Sequence, residues 1–245
     1  MKNNNCIFGN EETYKASSSV WHFYKSNNIR NGIRLMLSNI DRSYPFYFHG
    51  VEWKDSESLF MCGEFSDNSE EHKYVQTALN SNINGLAKKR FIRLKYKELA
   101  RNDFNEFQLQ WMFYVIWNKC KGNANFSNIL TDIPKEVTII ADTTKSNGYM
   151  AYFWGCKNIE LTKHIEALEK RIISQNNHLR KVDLRLKIRN ETNKINNIGE
   201  WNGQNNYGKI LMKCRNCLLN NTVPAIDYDL LRSKNIYIFN KPIEI

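Results

Sequence analysis

Leu161, Ile165, Leu168, Ile172, Gln175, Leu179, Val182 and Leu186 recur at steps of four and three, a heptad seam with one polar position. No other stretch limits the fold so sharply. As one straight helix, residues 161–188 would run about 42 Å. The residues after them, rising at most about 3.4 Å each, would have to return almost fully extended for the flanks to share one pocket. The expectation is therefore an αα-hairpin folded at Gln175-Asn176-Asn177 and projecting from its domain as an insertion over 157–195. The unbroken heptad is the contrary sign, since it suits a single long helix.

Around this insertion the chain reads as mainly α with a few short strands. The 245 residues, 42% hydrophobic and 13% aromatic, suffice for one substantial domain with its own core. The expected layout is an N-terminal extension over 1–19, a domain over 20–222 that carries the insertion, and a C-terminal extension over 223–245. Phe46-Tyr47-Phe48, the turn His49-Gly50 and Val51-Glu52-Trp53 alternate as a small hairpin. Helices are expected over 56–65, over 70–80 after the capping run Ser66-Asp67-Asn68-Ser69, and over 105–119. In the last of these Phe107, Trp111, Tyr114, Val115 and Trp117 point to core packing. Val137-Thr138-Ile139-Ile140 is the clearest strand, and 200–208 reads as a loop.

The net charge of +10 is concentrated. Residues 88–101 hold seven Lys or Arg against Glu98 alone, and residues 157–195 hold ten against five acids, which leaves the rest near neutral. Such stretches suit a polyanion, nucleic acid or a phosphorylated ligand, and equally a solvated basic helix face. There is no apolar run long enough to span a bilayer and no signal-like start, so the expected location is cytoplasmic. Cys214 and Cys217 have metal-ligand spacing, but a second close Cys or His pair is missing, and neither metal nor cofactor is expected.

Three short patterns carry chemistry. In Asp55-Ser56-Glu57-Ser58-Leu59-Phe60 a carboxylate follows two N-cap residues and opens an apolar run. That puts Glu57 in the first turn of a helix, where the dipole favours an anion. Trp154-Gly155 follows two aromatics, and an indole beside a glycine suits a wall on which a flat base can stack. Gly203-x-x-x-x-Gly208-Lys209 looks like a P-loop start, but Ile210 stands where Ser or Thr would hold magnesium. Phosphate binding at a helix start and a plain tight loop both fit it.

Taken in order, Leu37-Ser38-Asn39, Ser56-Glu57-x-x-Phe60, Trp154-Gly155 and Gly203-x-Asn205-x-x-Gly208-Lys209-x-Leu211-Met212 resemble the NADAR (YbiA-like) N-glycosidase family. Phe23-Tyr24 fits its opening aromatic pair, and the resemblance covers residues 20–219 apart from the insertion. It implies a compact, mainly helical YbiA-like domain that cleaves N-glycosidic bonds. Family members act on phosphoribosylamino intermediates of riboflavin synthesis, or remove ADP-ribose from guanine in nucleic acid. Several positions depart from the family. Ser58-Leu59-Phe60-Met61 replaces His-Tyr-x-Gln, Glu64 replaces a lysine, Ala151 an aspartate and Phe104 a tryptophan. The resemblance gives Glu57 the catalytic role, with Asp142 as a second carboxylate. Ser38, Asn39, Trp154, Gly155, Asn205, Gly208 and Lys209 are then the expected substrate-binding residues.

The basic stretches favour an ADP-ribosyl-guanine hydrolase acting on nucleic acid over a small-metabolite enzyme. The departures around Glu57 favour a non-catalytic ADP-ribose or nucleic-acid binding module. A third reading is a homo-oligomer formed through the seam of the insertion.

Overall fold

A computed structural model describes residues 8–24, 28–30, 33–81, 86–192, 195 and 197–245. The chain starts with β1 (Glu12–Lys15), β2 (Val20–Phe23), β3 (Asn28–Arg30), β4 (Ile33–Leu35), β5 (Phe46–Phe48) and β6 (Val51–Trp53). Helices α1 (Ser56–Glu64), α2 (Glu70–Asn80), α3 (Leu86–Lys95), α4 (Phe104–Gly122) and α5 (Ala124–Asp132) follow, then β7 (Thr138–Ala141). The rest is α6 (Tyr149–Trp154), α7 (Ile159–Gln175), α8 (Lys181–Thr192), β8 (Glu200–Gly203), α9 (Asn206–Asn220), α10 (Tyr228–Ser233), β9 (Tyr237–Ile238) and β10 (Lys241–Pro242). It is mainly helical, with several short two-stranded sheets, as the sequence indicates. Two units emerge, Met1–Gly32 with Glu136–Lys209, and Ile33–Lys135 with Ile210–Ile245. Among the described residues no helix is long and apolar enough to cross a membrane.

In the first unit β2 and β7 pair in parallel, Val20 opposite Thr138 and Phe23 opposite Ala141. The second sheet differs from the sequence reading. β1, from the expected extension, pairs antiparallel with β8, from the expected loop, with Glu12 opposite Gly203 and Lys15 opposite Glu200. β8 alternates exposed Glu200 and Asn202 with buried Trp201 and Gly203. One large apolar side chain in four residues is too weak a period-two signal to stand out from a loop. Trp201 packs with Val20, Ile140, Cys156 and Leu161 to form a buried cluster.

The insertion is an αα-hairpin. Asn158 caps α7 by accepting the Leu161 amide at 2.8 Å and donates Nδ2 to the Ile198 carbonyl at 2.7 Å, which ties the outgoing strand of chain to the returning one. At the far end Asn176 ends α7. Its Nδ2 donates to the Ile172 carbonyl at 2.8 Å, and its Oδ1 accepts Lys187 Nζ from α8 at 2.7 Å. The seam does not run through this corner. Leu161 and Ile172 are buried, but Val182 is 73% and Leu186 56% exposed, while Leu184 and Ile188 are half-buried. Reversal of the chain resets the helical phase, so a heptad counted through the turn selects the wrong face of α8.

In the second unit β5 and β6 form the expected hairpin, Phe46 opposite Trp53 and Phe48 opposite Val51. Its turn residues His49 and Gly50 both have positive φ, 50° and 71°, as a two-residue turn with the twist of the strands requires. α2 begins where Ser69 accepts the His72 amide. α4 buries Phe107, Trp111, Tyr114, Val115 and Trp117. It crosses α1 at Gly63, where an added Cβ would lie 2.2 Å from the Trp111 indole nitrogen, the same group that donates to the Phe60 carbonyl at 3.0 Å. The C-terminal residues are built into this unit. Phe239 stacks on Trp53 with centroids 5.6 Å apart, and buried Gln76 donates to the carbonyls of Phe65 and Tyr237, both at 2.9 Å.

Because the α1–α4 contact has no room for a side chain at Gly63, Gly63→Ala is expected to lower stability by about 1–3 kcal/mol. Urea unfolding followed by tryptophan fluorescence measures this, and an unchanged midpoint would contradict the packing described.

Candidate functional site

Asp55 sets the entry of α1. In extended conformation it accepts the Ser58 amide at 2.9 Å and the Ser58 hydroxyl at 3.0 Å. Asn39 reinforces the entry, its carbonyl accepting the Glu57 amide at 2.9 Å and the Ser56 hydroxyl at 3.2 Å. Ser38 is buried and closes the preceding turn, its carbonyl accepting the Asp41 amide at 3.0 Å. Residues 56 and 58–63 of α1 are all buried. Glu57 and Glu64, seven residues apart, are the two half-buried positions and lie on one stripe.

Helix α3 supplies cations to this stripe. Lys89, which is buried, and Arg93, which is exposed, are one turn apart on the side that meets α1, with Ile92 buried between them. Lys89 pairs with Asp55, and the Arg93 Nε lies 2.9 Å from Glu64 Oε2. Glu57 itself accepts a hydrogen bond from Asn39 Nδ2. Burial raises the Glu57 pKa above the ordinary glutamate value. Lys89 and Arg93 pull it back down, and Asp55 and Glu64 push it up. The result is a carboxylate oriented by one amide, surrounded by charge whose own pairings are with other residues. Such a group can take a proton or face a developing cation.

Lys119 on α4 is also fully buried, its Nζ 4.5 Å from the Phe126 ring centroid. Burial lowers its pKa to about 8, opposed by Asp41 and Asp55. We place it in the charge balance of the interior.

The remaining expected residues lie in the first unit. Asp142 directly follows β7, its amide donating to the Phe23 carbonyl at 2.9 Å and its Oδ1 accepting the Thr144 amide at 2.9 Å. Its Oδ2 is 3.8 Å from His22 Nδ1, and the His22 ring lies 4.6 Å from Trp201, centroid to centroid. Burial raises the pKa of Asp142, against hydrogen bonds from Thr144 and the charge of Lys145. Trp154 ends α6, half-buried and edge-on to Phe153 at 4.9 Å. Gly155 follows, its carbonyl accepting the Asn205 amide at 3.3 Å.

The glycine-framed pattern joins α9 to β7. Asn205 is fully buried with φ 50°, and its Oδ1 accepts the Ala141 amide at 3.0 Å while its Nδ2 donates to the Ile139 carbonyl at 2.8 Å. Gly208 lies against the same strand, where a Cβ would fall 2.2 Å from the Ile139 carbonyl oxygen. Lys209, with no exposed surface, pairs with Glu12 at 2.6 Å and donates to the Asn10 carbonyl at 3.2 Å. These atoms serve the packing of the first unit, so we do not carry the phosphate role forward. Ser38, Asn39 and Glu57 thus come together in one unit, while Asp142, Trp154, Gly155, Asn205, Gly208 and Lys209 belong to the other.

The sequence reading missed Lys89, Arg93 and His22. The first two were counted as net charge, although their spacing of four around Ile92 marks one helix face. Among the described residues no cluster of three or more His, Cys, Asp or Glu could hold a metal ion. A scan against models of known protein families and a search of curated proteins both find no match to the chain.

Removing Asp55 would leave Lys89 charged and buried without its partner, and would uncap α1. Asp55→Ala is therefore expected to cost about 3–5 kcal/mol in urea unfolding, with much of the loss recovered in Asp55→Ala/Lys89→Met. Equal losses in the single and double variants would show that the ion pair is not what matters.

Proposed function

We propose that the chain is an N-glycosidase that hydrolyses an N-ribosyl bond, with ADP-ribose on guanine in nucleic acid as its substrate. The observation that carries this reading is Glu57, the hydrogen-bonded carboxylate on the one open stripe of an otherwise buried helix, with a raised pKa. The ordered motifs that resemble the NADAR family support it. So does Arg93, which brings a cation to Glu64, the position where the family has a lysine.

Cleavage of a ribosyl C–N bond leaves the electron pair on the base and positive charge on the sugar. A fixed carboxylate stabilises that charge and then takes a proton from the water that attacks the anomeric carbon; the departing base takes up a proton from solvent and the carboxyl later returns its own, so that one water is consumed. Glu57 has this role and Asn39 holds its orientation. Ser38 shapes the turn that presents Asn39.

Two further readings stay in view. A phosphoribosylamino metabolite would use the same carboxylate without a polynucleotide surface. A binding module would keep ligand affinity without turnover, as the replaced residues 58–61 favour.

The test is release of ADP-ribose from guanine-ADP-ribosylated single-stranded DNA. Wild type should release it, and Glu57→Gln should be slower by about 10²–10³ or more. Full activity in Glu57→Gln would overturn the role of Glu57, and no release by wild type would move the reading to the metabolite or the module. The pH profile is a second check. Because Glu57 works ionised and its pKa is raised, activity should fall as pH drops through a midpoint above 4.5. Arg93→Ala removes a charge that lowers this pKa, so its acidic limb should move to higher pH.

A further inference from the structure

We propose that the outer face of α3, together with Tyr74 of α2 and Tyr96, is a stacking platform for single-stranded nucleic acid. This rests on the glycosidase reading in one respect only, that the strand it holds carries the substrate of Glu57. The geometry stands by itself.

α3 is two-sided. Lys89 and Ile92 are buried, whereas Phe91 is 60% and Leu94 76% exposed. Lys95 is one turn from Phe91, its Nζ 5.9 Å from the Phe91 centroid and 5.0 Å from that of Tyr96. Tyr96 meets Tyr74, itself 64% exposed, edge to face at 6.3 Å. The result is a row of rings with a cation set into it, continued by Arg90 on the same exposed side.

Exposed aromatic rings in a row are uncommon on a protein surface unless something covers them. The charge decides what. Of the neighbouring acids, Glu70 and Glu71 both line the groove beside Tyr74 and Tyr96, Glu70 paired with Lys73 at 3.2 Å, and Glu98 pairs with Lys97 at 3.5 Å. Lys95 adds positive charge among the rings, and Arg90 adds it on the exposed side of α3. A second copy seated face to face would bring these cations against their own equivalents, which disfavours self-association. A single strand fits, because its bases stack on rings and its phosphates take the cations. The side of the same helix that meets α1 carries Lys89 and Arg93, the cations that act on Glu57.

Anisotropy of a labelled, unmodified DNA strand of about 12 nucleotides tests this. Phe91→Ala and Tyr74→Ala are each expected to weaken binding about tenfold. Lys95→Ala should weaken it and reduce the salt slope by about one. Tyr47→Ala, an exposed ring on β5 at 69%, should bind as wild type. No strand binding by wild type, or wild-type affinity in both Phe91→Ala and Tyr74→Ala, would overturn the platform. So would a dimer in solution that Phe91→Ala dissolves. Hydrolysis of ADP-ribosylated guanosine as a free nucleoside separates the two claims. If the nucleoside is cleaved and no strand binds, the platform falls and the glycosidase stands. If the strand binds through the platform and neither substrate is cleaved, the glycosidase falls and the platform stands.

Discussion

The carboxylate of Asp55 does two things at once, and the second unit depends on both. It caps α1, which fixes where that helix starts and hence which residue takes its first turn. It also pairs with buried Lys89, which fixes α3 beside α1. A buried charge left without a partner is expensive, so cap and pair hold each other in place. Glu57 is between these constraints, two residues from Asp55 and within the field of Lys89 and Arg93. Its backbone is held by the Asn39 carbonyl and its side chain by the Asn39 amide.

In the first unit the comparable fixed point is Asn205. A residue with positive φ and a fully buried amide is an unusual choice for a loop, but its side chain pairs with both an N–H and a C=O of β7, as a strand would. Buried backbone groups must be paired, and here one side chain pairs two of them. Gly208 then allows α9 to start in contact with the same strand. A sequence pattern with the look of a phosphate cradle is accounted for by this join. The insertion is anchored by the same device, Asn158 bonding across its root and Asn176 across its tip.

Features that depend on near neighbours were legible in the sequence. The β5–β6 hairpin follows from alternation around His49-Gly50, and α1 and α2 follow from caps at Asp55 and Ser69. The αα-hairpin follows from chain length, because a single helix would need an almost fully extended return. What was hidden depends on distant partners. β1 and β8 pair across nearly the whole chain, and neither has enough apolar residues to announce itself. The exposed side of α8 was misread because periodicity does not carry through a reversal. The pairing of Asn39 with Glu57 was legible through the motifs, whereas Lys89 and Arg93 enter only as charge, since their acidic partners lie about 30 residues away in sequence.

The central claim is that Glu57 is a carboxylate held in place and raised in pKa by its setting. Carbon-13 NMR titration of the labelled glutamate carboxyls, with Glu57→Gln to identify the resonance, measures this without reference to any substrate. A midpoint above the ordinary value of 4.5 is expected. A midpoint at or below that value would mean that the neighbouring cations outweigh burial, and that Glu57 is an ordinary ion-paired residue of the first helical turn.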